Sequence, residues 1–105
     1  MESSEMSSFQ LILHSGNARS SAYEALHEVK ANHLHVGQDK IKEAREELLI
    51  ALKQHAQLLR KAASEENLQV DLLLVHAEGH ISSTQVAVEL IDEMIQMYER
   101  FGEQK

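Results

Sequence analysis

No proline interrupts the 105 residues of this chain, and that absence leaves long unbroken helices open to it. Proline stops a helix by removing an amide donor and crowding the turn before it. Here apolar residues recur in steps of three and four over three long stretches, and no stretch alternates apolar and polar residues as a half-buried strand would. Ala, Leu, Glu, Lys and Gln dominate and aromatic residues are few, a mixture of good helix formers. The predicted class is all-α, in one domain spanning residues 1–105.

The first stretch repeats Phe9, Ile12, Leu13, Gly16, Tyr23, Leu26 and Val29, a helix of about seven turns, with Ser3 and Ser4 as N-cap candidates. A connection over 32–37 ends it, where Asn32 or Gly37 supplies the left-handed conformation of a sharp stop. The second stretch, Ile41, Ala44, Leu48, Ala51, His55, Leu58 and Ala62, is a heptad-like seam. Ser64 to Asn67 interrupt it, Asp71 is a candidate cap, and a third helix runs to about Arg100, with Gly102 just beyond. Long helices joined by short loops fold back on each other, which predicts an antiparallel, up-down three-helix bundle. The third helix carries apolar residues nearly all round, Leu72 to Val75 and Val86 to Ile91 among them. Such a helix is buried by self-association, with coiled-coil-like packing between copies.

Charge and layout exclude several functions. A net charge of −7 and a pI near 5.4 disfavour contact with a phosphate backbone, so no nucleic-acid partner is expected. No apolar run approaches the roughly 20 residues of a membrane span, and the first residues lack a signal-peptide layout. The chain is expected to be cytoplasmic and not inserted in a membrane. Without cysteine it has no thiolate chemistry.

The chemistry-bearing feature is Val75-His76-Ala77-Glu78-Gly79-His80. Imidazoles four residues apart share one face of a helix, on a stripe continued by Ser83, Ala87, Leu90, Met94, Met97 and Phe101, a position for core or subunit seam. Histidine is the side chain that serves as neutral nucleophile or proton donor near neutral pH. The same spacing suits Zn²⁺ only if His55 or His14 joins from another helix, since a stable site takes three or four ligands. Without further context both histidines also fit as seam residues satisfied by neighbours. Gly16 reads as a point of close helix packing, Arg19 as a structural or interface charge, His33 and His35 as solvated loop residues, and Met94 and Met97 as core.

Together with Gly16-Asn17-Ala18-Arg19-Ser20 on the first helix, this motif resembles the lactose/cellobiose type of IIA component in the bacterial sugar phosphotransferase system. The resemblance covers nearly the whole chain in length, helix count and motif order. It implies a homotrimer and a phosphotransferase relay in uptake of a disaccharide of lactose, cellobiose or chitobiose type. A phosphoryl group would be accepted from HPr on His76 and passed to a cysteine of the IIB component, with the membrane IIC component as an indirect partner. By position His76 is the phosphoryl acceptor and His80 a stabilising neighbour, with Ser83 or Thr84 adding a hydrogen bond. The group orienting the His76 ring stays open among Glu78, a backbone carbonyl and a neighbouring subunit's side chain. Gly79 replaces the family's axial metal-binding Asp, so a Mg²⁺-type ion is not expected. Leu52 and His55 change the polar pattern of the second helix, and Ile81 to Thr84 replace a more apolar continuation. These departures sustain an alternative, a non-catalytic helical module that binds phosphotransferase partners without relaying phosphate. The sugar itself is not legible in this chain.

Overall fold

In the computed structural model, which describes residues 3–64 and 72–102, three helices follow in order: α1 Ser3–Lys30, α2 Leu34–Ser64 and α3 Leu72–Gly102. They pack as an up-down bundle, with α1 the element both others lean on and α2 and α3 touching each other least. Among the described residues there is no strand.

The first reversal takes three residues, shorter than the sequence suggested. Asn32 adopts the left-handed conformation, with φ of 68°, which asparagine tolerates better than most residues. The amide of His33 donates to Glu28 O at 2.8 Å and that of Asn32 to Val29 O at 3.0 Å, the paired bonds of a Schellman stop. Tyr98 on α3 donates its phenol to Asn32 Oδ1 at 2.7 Å, which ties the turn to the far end of α3. His33 remains in the connection beside Glu28 Oε2 at 2.7 Å, but His35 lies in the first turn of α2, exposed. The expected interruption after Ser64 and the Asp71 cap lie outside the described residues, as do the side chains of Ser3 and Ser4.

Gly37 is not in the turn. It is buried in α2, where an added Cβ would fall 2.3 Å from Val29 Cγ2 and 2.9 Å from Ala25 O. The close-packing role expected of Gly16 therefore belongs to Gly37. At Gly16 a Cβ would meet only His80 Cε1, at 3.9 Å.

The core comprises Leu11, Ala18, Ala22, Ala25 and Val29 of α1, Ile41, Ala44, Leu48 and Ala51 of α2, and Ala77, Ile81, Val88, Ile91 and Ile95 of α3. The α2 seam thus falls where its spacing placed it. On α1 the buried stripe is rotated from the expected one: Phe9, Leu13 and Tyr23 are exposed, because the small residues between them let the neighbouring helices approach. Arg19 lies 5.8 Å over the Tyr23 ring. Outside the core, Glu24 holds the Lys40 ammonium above its usual pKa through a hydrogen bond and its charge.

On α3 the stripe continued from the histidines is not the core. Leu90, Met94, Met97 and Phe101 are exposed, and so are Leu72, Val75, Gly79, Ser83 and Val86. Their spacings run 3-4-4-3-4-4-3-4, an eleven-residue period that follows a nearly straight helix better than a heptad does. Gly102 is the last residue of α3 rather than the one beyond it.

Gly37→Ala is expected to lower stability by about 2 kcal/mol, because the Ala25 carbonyl is backbone and cannot swing aside. A lower urea midpoint with unchanged slope checks this; an unchanged midpoint contradicts the packing argument.

Candidate functional site

Successive α-helical residues are turned by about 100°, and this places His76 at the edge of the exposed stripe of α3 and His80 between its two faces. Taking Leu90 as the direction of the exposed apolar stripe, the buried residues centre about 140° away, with His76 near 40° and His80 near 80°. His76 is accordingly exposed and His80 half-buried. Their ring centroids are 6.1 Å apart, with planes inclined by 67°. Below His76, Leu72, Leu73 and Val75 line an open groove of about 680 Å³.

His80 is held from α1. Its Nδ1 lies 2.9 Å from Ser15 Oγ, and Ser15 Oγ also lies 2.9 Å from Thr84 Oγ1 and 3.3 Å from His80 O. Ser15 and Thr84 are both 0% exposed. Thr84 is thus committed inside the bundle and does not face the His76 side. Ser83 stays on the surface, its hydroxyl donating to His80 O at 3.2 Å. Ser15 was missed by sequence reasoning, although it was in principle accessible: Ser8, Leu11, Ser15, Ala18 and Ala22 form a stripe of threes and fours, and a serine inside a buried stripe needs a partner.

The two histidines considered as further metal ligands are engaged elsewhere. His55 Nε2 meets Glu78 Oε1 at 3.1 Å across α2 and α3, and His14 Nδ1 meets Glu47 Oε2 at 2.9 Å across α1 and α2. Glu78 therefore partners His55 rather than orienting His76. Leu52 packs against the core, so the two departures on α2 have structural partners of their own. A polar groove between α1 and α2 is lined by Glu24, Glu43, Glu46 and Glu47; four carboxylates there disfavour an anionic group.

The residue at the position of the family's axial metal ligand does not fit an ion. Gly79 offers no donor atom, and a Cβ built on it meets nothing within 4 Å. Among the described residues no three His, Asp or Glu side chains are arranged to hold an ion, and no helix is long and apolar enough to cross a membrane.

The chain is similar to known proteins over nearly its whole length. Residues 6–99 match the family described as the PTS system lactose/cellobiose-specific IIA subunit. The lichenan-specific phosphotransferase enzyme IIA component of Bacillus subtilis is 36% identical over 104 residues, covering 99% of this chain and 94% of that protein. The crystal structure of the PTS cellobiose-specific enzyme IIA from Bacillus anthracis superposes with a TM-score of 0.90 at 32% identity, over 100% of this chain and 96% of the other. The IIA(chitobiose)–HPr complex of the Escherichia coli diacetylchitobiose branch gives a TM-score of 0.83 at 33% identity, over 97% and 99% of the two chains.

Proposed function

This chain belongs to the lactose/cellobiose-specific IIA family of the phosphotransferase system, and on that premise we propose that His76 is the residue on which it carries a phosphoryl group. The observation that carries the reading is the placement of His76: exposed at the shoulder of α3, 6.1 Å from a second imidazole that is itself held by the bundle. An acceptor must be open to a donor protein, and its neighbour must be fixed to stabilise charge.

In the reaction, a neutral nitrogen of His76 attacks the phosphorus of phosphohistidine on HPr. The new N–P bond forms as the old one breaks, and the bond electrons leave with the HPr imidazole. His80 donates to an equatorial phosphoryl oxygen. A second displacement transfers the group to the cysteine thiolate of a IIB component and frees His76. HPr as donor accords with the complex formed by the chitobiose relative. The transported sugar belongs to the class of β-linked saccharides for which the relatives are named. The non-relaying interaction module has no observation in its favour.

The exposed α3 stripe is the surface on which three copies meet. Leu72, Val75, Val86, Leu90, Met94, Met97 and Phe101 together exceed what a lone soluble helix presents to water, and closed symmetry buries such a face without leaving a free edge. His76, beside that stripe, then lies next to a neighbouring subunit. Gly79 leaves the axis without a cation.

His76→Ala is expected to abolish phosphorylation by phosphoenolpyruvate, Enzyme I and HPr, read by intact-protein mass spectrometry at alkaline pH. His80→Ala should slow transfer about a hundredfold, the lower end for removal of one charge-stabilising donor. Normal modification of the His76 variant would move the acceptor elsewhere.

Leu90→Lys should convert a trimer into monomers in sedimentation equilibrium while leaving helicity intact; a variant that stays trimeric places the interface on another face. Gly79→Asp should create a divalent site in the trimer, stabilising it by about 2.7 kcal/mol when the ion is at about 100 times its Kd. Melting curves of that variant unaffected by Mg²⁺ or Mn²⁺ would argue against an axial position for residue 79.

A further inference from the structure

The hydroxyls of Ser15 and Thr84 carry one proton each, and the way those two protons can be placed decides which nitrogen of His80 is protonated. Ser15 Oγ has short contacts to Thr84 Oγ1, at 2.9 Å, and to His80 Nδ1, at 2.9 Å. Its third contact, to His80 O, is longer at 3.3 Å. For Thr84 Oγ1, the contact with Ser15 is the one hydrogen bond its side chain makes among the described residues.

Two arrangements compete. In the first, Thr84 donates to Ser15 Oγ and Ser15 donates to His80 Nδ1, so both hydroxyl protons lie in short contacts. The imidazole, accepting at Nδ1, then carries its proton on Nε2. In the second, His80 Nδ1–H donates to Ser15, and Ser15 must donate to Thr84 or to the more distant carbonyl. If Ser15 donates to Thr84, the Thr84 proton has no partner at a side chain that is 0% exposed; if it donates to the carbonyl, Thr84 can still donate to Ser15, but the Ser15 proton is left with a 3.3 Å contact to an oxygen that already accepts from Ser83 at 3.2 Å. Leaving a buried donor unsatisfied, or bound only weakly to an oxygen already in use, is the costlier choice.

We propose that Ser15 and Thr84 form a buried hydroxyl relay, Thr84 to Ser15 to His80 Nδ1, that holds neutral His80 in the Nε2–H tautomer, making Ser15 a positioning residue for phosphoryl transfer. The functional half rests on the assignment of His76 as acceptor. The ring then presents one donor, Nε2–H, beside the imidazole 6.1 Å away, and it does so without needing a positive charge. Had the proton been on Nδ1, the same ring would present a lone pair at Nε2 and repel a phosphoryl oxygen instead of binding it.

The test has a spectroscopic arm and a kinetic one. Long-range ¹H–¹⁵N correlation spectra of ¹⁵N-labelled protein, at a pH where the rings are neutral, report the protonated nitrogen directly. Wild type and Thr84→Ser should show His80 protonated on Nε2, while Ser15→Ala and Thr84→Val should gain the Nδ1–H form, with circular dichroism melts confirming that each is folded. A proton on Nδ1 in wild type, or a tautomer unmoved in both Ser15→Ala and Thr84→Val, overturns the relay. In the phosphotransfer assay Ser15→Ala should reduce kcat about tenfold with little change in KM for HPr, the low end for loss of an orienting partner. In a His80→Ala background the same substitution should have no further effect. An undiminished kcat in Ser15→Ala, or a full additional loss in the double variant, refutes the positioning role. Failure of wild type to be modified on His76 would refute the acceptor assignment, while the spectra still decide the relay.

Discussion

The bundle depends on the smallness of one face of α1. Ser15, Ala18, Ala22 and Ala25 present no bulk, and their complete burial lets α2 and α3 come close on either side. Gly37 does the same from α2, removing the one side chain that would hold Val29 and the Ala25 carbonyl away. Larger residues in this stripe would still be apolar, but the helices would stand further apart. Dispersion falls steeply with separation, and a serine hydroxyl reaches across an interface only when backbones are near. The contact between Ser15 and His80 is thus a by-product of the same geometry that packs the core.

From this geometry follows the division of α3 into two faces with different partners. One face, centred on Ala77, Ile81, Val88 and Ile95, is buried against α1 and α2. The other, running from Leu72 to Phe101, is left uncovered by the protomer. His80 occupies the narrow sector between them, and His76 the edge of the uncovered face. A residue in the core could not meet a donor protein, and one at the centre of the apolar stripe would be lost in a subunit seam. The shoulder combines access for His76 with an anchor for His80.

The motif, the helix count and the α2 seam were legible because each rests on local periodicity. The misplaced parts have specific causes. Phe9, Leu13 and Tyr23 looked like core because they are large and apolar, but the bundle buries the small stripe beside them. Met94 and Met97 were read as core for the same reason and are exposed. Glu78 was a candidate partner for His76 from proximity in sequence and instead meets His55 from another helix. Thr84 was expected to face the phosphoryl side with Ser83, yet one residue of helical rotation turns it inward. Of Asn32 and Gly37, the two candidates for the left-handed stop, asparagine took that position, and Gly37 lies inside α2, where its missing side chain admits Val29 and the Ala25 carbonyl.

What the sequence alone determined was everything that depends on spacing along one chain: three proline-free helices, their up-down order, and two imidazoles one turn apart in a pattern shared with a family. What the tertiary structure alone decided was which side of each stripe is covered and which polar groups from different helices meet. Ser15 and His80 are separated by 65 residues, and no rule of local periodicity brings them together. The packing distance between α1 and α3 does so, because it is set by the sum of side chains on both faces at once.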